Sequence, residues 1–441
     1  MAQRIKPLAV LGGGPAGLSV GYHAGKRQVP FIIYEKSNQW GGNCVTYEWK
    51  EFRFDSGAHR VHGTDKDVVK EFFELMGGDL ARVSRPSHIY KENGRYIFPL
   101  EFKNIVRTMP LRQLAVGLKD MLFSLLLGSG EARNFEELAV SRYGNFFAKE
   151  FLLQYTEKLW GTPCAHLDTS IAGNRLAGMQ CKEIFKWLTM GKGHSSRTEG
   201  DFFYPRGGMG RLMDALARSC GFERFRLGAA VTRVFHKANR ICAIELNGAE
   251  QVEVDQVVST LPLNHFLDMF TPGLGLEDLK HAFIFRNLVL VALFLNKPQV
   301  TDVASLYFPG RDTPFTRVYE PRNRCASMSP FGKTSLVAEI PCYDTDPVWS
   351  SADDELVERV ADSFCRFGWI KEADLLGYSV KRMSNAYPVL RSGHELAYAE
   401  VTRALRPISN LRLTGRNALF SYSWVHDQFR RAGEVVRELY S

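Results

Sequence analysis

Gly12, Gly14 and Gly17, in the run Gly12-Gly13-Gly14-Pro15-Ala16-Gly17, are spaced to hold a diphosphate. An apolar run precedes them, and a second one, Pro30 to Tyr34, is closed by Glu35. Strand, glycine turn, helix and a second strand ending in an acid form the unit that binds the ADP half of a dinucleotide. Gly12 permits the tight turn, Gly14 lets the backbone approach a pyrophosphate, and Gly17 lets the helix lie close on the strand. Pro15 and Ala16 open that helix, whose unpaired N–H groups and dipole favour negative charge. Glu35, with Lys36 beside it, is set to accept hydrogen bonds from ribose hydroxyls.

The residues that follow bear on which dinucleotide this is. Trp40-Gly41-Gly42-Asn43 comes at once, then Asp55-Ser56-Gly57-Ala58-His59. A nicotinamide dehydrogenase needs no second glycine pair here, whereas a flavoprotein must thread its chain past a ribityl chain and an isoalloxazine ring. Gly41 and Gly42 permit that approach, a plain hairpin turn being the alternative. Asn43, Gly57, Ala58 and His59 would then line the FAD, held without a covalent bond. His59 and His62 fall in the loop expected to pass the ring; each could hydrogen-bond ring or substrate, or serve only the fold. Gly415 and Arg416 precede a closing helix whose N-terminus would stabilise the anionic reduced ring.

The 441 residues, 45% apolar and 24% charged, are ordinary globular material, long enough for two or three cores. Met1 to Pro7 is short and polar and does not read as a secretory signal. The eight cysteines include no C-x-x-C pair, which argues against zinc or a redox disulfide and for a reducing, cytoplasmic setting. A net charge of +8 without any run of five or six like charges disfavours a nucleic-acid arm and leaves an anionic small molecule, an acidic membrane surface or plain surface solvation. Leu111 to Leu127 is the most apolar helical stretch, too short to span a bilayer, which takes about 20 apolar residues. It reads as a helix buried in the protein, with a helix lying on a membrane as the alternative.

These elements predict an α/β fold with a discontinuous Rossmann-type FAD-binding domain from 1–80, 203–270 and 405–441, a helical insertion over 81–202 and a mixed α+β substrate domain over 271–404. Val252 to Leu261 reads as a strand returning to the nucleotide sheet, and Ala230 to Leu246 as a hairpin. Gly207-Gly208-Met209-Gly210 opens a helix, but Phe203-Tyr204-Pro205-Arg206 does not read as a buried strand. No built-in NAD(P)H domain is therefore expected.

Gly12 to Gly17, Glu35, Gly41-Gly42 and Thr414-Gly415-Arg416-Asn417 together resemble the FAD-binding set of the amine oxidase and protoporphyrinogen oxidase superfamily, which includes the UDP-galactopyranose mutases. The likeness continues through Gly57 to His62, Tyr155 to Gly161, Phe203 to Gly208, Pro314 to Arg317 and Ala386 to Val389, along nearly the whole chain. It implies a flavoenzyme with FAD, Tyr422 near the cofactor, and His59, with His62 and Tyr387, as candidates for the chemistry. It also implies that Arg175, Arg206, Arg317 and Tyr387 bind an anionic, sugar-related substrate and that Trp160 stacks on a ring. Where the family carries Asn-Met-Asp-His this chain reads Trp424-Val425-His426-Asp427, which leaves the substrate open. Three functions follow from the resemblance: net flavin oxidation or reduction, with oxygen or external NAD(P)H as electron partner; redox-neutral pyranose/furanose isomerisation with reduced FAD; and flavin binding without turnover.

Overall fold

The computed structural model of the chain describes residues 6–91, 94–127, 130–176 and 201–440. Leu8–Leu11 is buried at all four positions, the pattern of a strand covered on both faces. It pairs in parallel with Phe31–Tyr34 and Val257–Ser259, Leu11 lying opposite Tyr34 and Ser259. Leu411–Leu413 and Phe225–Arg226 complete a parallel sheet of order Leu411–Leu413, Val257–Ser259, Leu8–Leu11, Phe31–Tyr34, Phe225–Arg226. Helix Pro15–Lys26 covers one face, packed between Gly210–Cys220 and Val425–Leu439. Gly21 makes that packing close, since a Cβ there would stand 2.9 Å from Ile33 and from Cys220 Sγ. The strand expected over Val252 to Leu261 is two strands. Glu250–Glu253 belongs to an antiparallel sheet with the expected hairpin, Val231–Lys237 and Arg240–Leu246, and the chain bends at Asp255, whose carbonyl accepts from Asn410 Nδ2, before Val257–Ser259.

A seven-stranded sheet makes the second body, in the order Leu375–Pro388, Phe285–Leu295, Thr334–Cys342, Arg317–Tyr319, Ser305–Tyr307, Ser87–Lys91, Gly94–Phe98. Phe285–Leu295 and Thr334–Cys342 are buried throughout, as central strands must be. The stretch 81–202 is not purely helical. The hairpin Ser87–Lys91/Gly94–Phe98 extends the large sheet, and Leu80–Ser84 pairs with Asp201–Pro205. Phe203 to Pro205 is thus a strand after all, but in this antiparallel pair and not in a second nucleotide unit.

Helix Leu111–Leu127 also departs from expectation. Leu114 and Met121 are buried, and Gly117 sits so close to helix Phe135–Phe147 that a Cβ would come within 2.5 Å of Phe147. Leu111, Val116, Leu122, Phe123 and Leu126 face outward, so the helix is half exposed and not enclosed. Among the described residues no helix is long and apolar enough to cross a membrane.

Candidate functional site

The residues that follow four parallel strands, Gly12, Glu35, Thr260 and Gly415, all line one groove of about 870 Å³. Ligands of open α/β sheets bind there, outside the carboxyl ends of the strands. Glycine is required at Gly17, where a Cβ would stand 1.8 Å from the Gly12 carbonyl oxygen. Gly14 is different: its φ of −75° suits any residue and a Cβ would meet only Gly42 Cα, at 3.8 Å. Its side toward the groove is simply open. Gly42, with φ +53°, faces Gly14 so closely that a Cβ would come within 3.0 Å of its Cα, and Gly41 N–H donates to the Gly13 carbonyl at 2.9 Å. The second glycine pair therefore closes over the first. Glu35 is buried, accepting from Gly13 N–H at 2.7 Å and Ser37 N–H at 2.9 Å, and Lys36 is exposed at the groove edge.

At the other end the walls are polar side chains. The loop after strand Phe52–Asp55 is pinned by buried Asp55, which accepts from Thr46 Oγ1, Met209 N–H and Tyr204 OH, while its carbonyl accepts from Tyr319 OH. Burial pushes the Asp55 carboxyl above its ordinary range against these donors. Ala58 N–H donates to Glu339 at 2.9 Å and the His59 carbonyl accepts from Arg324 at 2.7 Å. The His59 imidazole is pushed down to about 3, by burial first and then by Arg416, Arg317 and Arg324. It is therefore neutral. Ser56 Oγ, 3.2 Å from Nε2, already donates to the Asn43 carbonyl, so hydrogen-bond bookkeeping puts the ring proton on Nε2 and leaves Nδ1 as the acceptor.

Arg317 Nε and Nη2 lie 2.8 and 2.5 Å from Glu339 Oε2, and Nη2 is 3.5 Å from Tyr387 OH. The Tyr387 phenol is raised to about 12, chiefly by burial, and so stays protonated. Arg416 lies over the Tyr387 ring at 5.4 Å. A register shift in strand Leu375–Pro388 shapes this wall: Arg286 pairs with Tyr387 but Leu288 with Met383, so Ser384 to Ala386 bulge out. Three donors converge on the bulge, Asn43 Nδ2 on the Ser384 carbonyl, Asn417 Nδ2 on the Asn385 carbonyl and Arg416 Nη2 on the Ala386 carbonyl, at 3.0, 3.0 and 2.6 Å. Tyr422 and Trp424 close the side of the groove.

The structure brings His59, Arg317, Tyr387, Arg416 and Tyr422 together at this end of the groove and sets His62, Trp160 and Arg206 apart from them. His62 is behind Trp424, its ring edge-on to the indole at 4.6 Å and lowered to about 4 by burial and Arg60, and does not line the groove. Trp160 is fully buried against Tyr387 and Tyr422, so it packs the phenols instead of offering a free face. Arg206 opens on a separate cavity with Arg53 and Arg211; it follows the strand paired with Leu80–Ser84, and its N–H donates to the Asp79 carbonyl. The side chain of Arg175 is outside the described residues. Glu339 and Arg324 were not found from sequence, and Ser56 and Asn417 were read there only as members of their motifs, without a role of their own. Of the first two only Glu339 leaves a trace there, as the one charged residue in the apolar run Thr334–Cys342.

Residues 15–439 match the sequence profile of the flavin-containing amine oxidoreductases. The chain belongs to this family. Its fold is that of reduced UDP-galactopyranose mutase, with a TM-score of 0.88 at 19% identity over 98% of this chain and 95% of the other. A proposed protoporphyrinogen oxidase of Exiguobacterium sp. superposes with a TM-score of 0.77 at 17% identity over 98% of both chains, and putrescine oxidase bound to putrescine with 0.68 at 14% over the same shares. A stretch of 76 residues is 32% identical to the lycopene-forming phytoene desaturase of Pantoea ananas, covering 17% of this chain and 15% of that protein. Like the family, this chain takes FAD. The groove fits it: the glycine turns leave room for a diphosphate, and buried Asn417 Oδ1 and Ser423 Oγ, both on the groove wall, have no partner among the described residues.

Proposed function

We propose that this amine oxidoreductase family member transforms a small anionic substrate of the nucleotide-sugar class at the Arg317–Tyr387–Arg416 end of the groove. Charge carries the reading. Arg416 has no carboxylate partner among the described residues, Glu339 is engaged by Arg317, and Asp344 on the groove wall is accompanied there by Arg382. A protonated amine would meet guanidinium groups there, whereas a phosphate would meet the fork they recognise. Arg317 Nη1 has no hydrogen-bond partner among the described residues and can donate to a ligand, the Tyr387 hydroxyl donates at any working pH, and neutral His59 can accept a hydrogen bond at Nδ1. Bound FAD supplies the capacity to take up and return an electron pair. The same cations favour its anionic reduced form.

Two reaction types suit this site. Net oxidation would pass electrons to oxygen or another acceptor; redox-neutral pyranose/furanose isomerisation would need FAD kept reduced, for example by external NAD(P)H. The fit to a reduced mutase fold favours the second. Incubating the FAD-loaded protein with UDP-sugars, with and without dithionite, separates them. Product formed only after reduction supports isomerisation, and oxygen uptake with the sugar supports net oxidation. Oxygen uptake on amines with no turnover of any nucleotide sugar overturns the proposal.

A further inference from the structure

Helix Leu111–Leu127 carries an outward face made of three parallel rows. At 3.6 residues per turn, Leu111, Leu122 and Leu126 form one row and Val116 and Phe123 another, with Arg112 and Lys119 between them. Their exposures are 79%, 52% and 85% for the leucines and 55% and 61% for Val116 and Phe123. Single exposed apolar residues are ordinary, but five on one helix face are a patch that wants a partner.

Charge says which partner. The preceding helix Phe102–Thr108 adds exposed Lys103 and Arg107 to Arg112 and Lys119, and between Phe102 and Leu127 the only acid is Asp120. Asp120 is turned inward, where it accepts from Phe146 N–H at 2.7 Å. From Phe102 to Leu127 the surface thus has cations and apolar side chains and no exposed carboxylate, and Glu101, which caps the preceding helix, is the one exposed acid directly before it. A second copy packed on this face about a two-fold axis would bring these cations together unpaired. A layer of anionic headgroups would answer them, phosphates meeting the Arg112–Lys119 row while the flanking apolar rows enter the acyl boundary. At 17 residues with two charges in the middle, the helix can lie on such a layer but not cross it.

From this pattern we infer that the Leu111–Leu127 face docks the protein on an anionic lipid surface. The test is co-sedimentation of the FAD-loaded full chain with vesicles of pure phosphatidylcholine and of phosphatidylcholine containing about 30% phosphatidylglycerol. The wild type should sediment with the mixed vesicles and stay behind with the pure ones. The pairs Leu122→Ser/Phe123→Ser and Arg112→Gln/Lys119→Gln should each lower binding by at least about fivefold. Because all four side chains face solvent, flavin content and melting temperature should not change. Equal binding to both vesicle types, or to neither, overturns the inference. So does a wild-type dimer in solution that the Leu122→Ser/Phe123→Ser pair makes monomeric, since the face would then belong to a second copy.

Discussion

The two ends of the groove are built by opposite means. At the diphosphate end the chain removes side chains, bringing Gly12, Gly17, Gly41 and Gly42 so close to neighbouring backbone or side chains that a Cβ does not fit. At the flavin end it adds them, using buried Asp55, Glu339 and Arg324, with Arg317 on Glu339, to fix the loop, and Asn43, Asn417 and Arg416 to hold the bulge. The first construction depends on local sequence and fails when one atom is added. The second depends on distant partners and fails when a charge is left alone.

Substitutions can break or sharpen that contrast. Gly17→Ala should have the largest effect, since its methyl would collide with the Gly12 carbonyl. We expect a stability loss of about 3 kcal/mol or more and protein purified without yellow colour, whereas retained FAD would show that the turn relaxes. Arg317→Met leaves Glu339 buried and unpaired, which should cost about 3 kcal/mol in urea unfolding. Loaded at low temperature, that variant should still hold FAD, and loss of flavin would mean the two ends are not separable. His59→Ala should slow flavin reduction by substrate about a hundredfold in stopped flow without loss of FAD; unchanged rates would leave His59 a packing residue.

The pH dependence tests the same end. His59, ordinarily near 6.5, is lowered to about 3 and His62 to about 4. Below about 6.5 the unfolded chain therefore takes up protons that the folded one refuses. The stability these rings contribute is complete above that pH and is lost as pH falls toward 4. Melting temperatures between pH 8 and 4.5 should show the decline, and His59→Gln with His62→Gln should flatten it. The smallest effect is expected from Asn385→Ala. Asn385 sits in the bulge at φ +52°, where alanine costs about 1 kcal/mol, and a change in FAD affinity would show that the bulge matters for binding as well.

What could be read from sequence follows the same division. Gly12 to Gly17, Glu35 and Gly41-Gly42 were legible because close backbone approach admits one residue type at a fixed spacing. His59 was legible as a candidate, but the contacts of its loop with Glu339 and Arg324 were not, because Ala58 and Glu339 are 281 residues apart and no periodicity signals their contact. The bulge was hidden too, since it appears only when Leu375–Pro388 is laid beside Phe285–Leu295. Arg206 misled because its motif says nothing of direction. The pairing of the preceding strand Asp201–Pro205 with Leu80–Ser84 sets its place, beside another cavity. Trp160 misled because an aromatic residue that closes a helix can as well fill a core as face a ligand.

The parallel sheet has a consequence for how the protein is made. Its central strand is Leu8–Leu11, but one edge is Leu411–Leu413, and Gly415, Arg416 and Gln428 line the same groove as Gly14, Gly415 lying against Ala16. The ribosome therefore emits the glycine turn some four hundred residues before the C-terminal segment that completes the groove. Throughout that interval the nascent chain carries half a cofactor pocket, and contacts of such long sequence separation are slow to form. Flavin capture has to be a late event of biogenesis, after release of the last helix, and a cell short of flavin would accumulate a chain whose N-terminal and C-terminal segments are not yet clamped together.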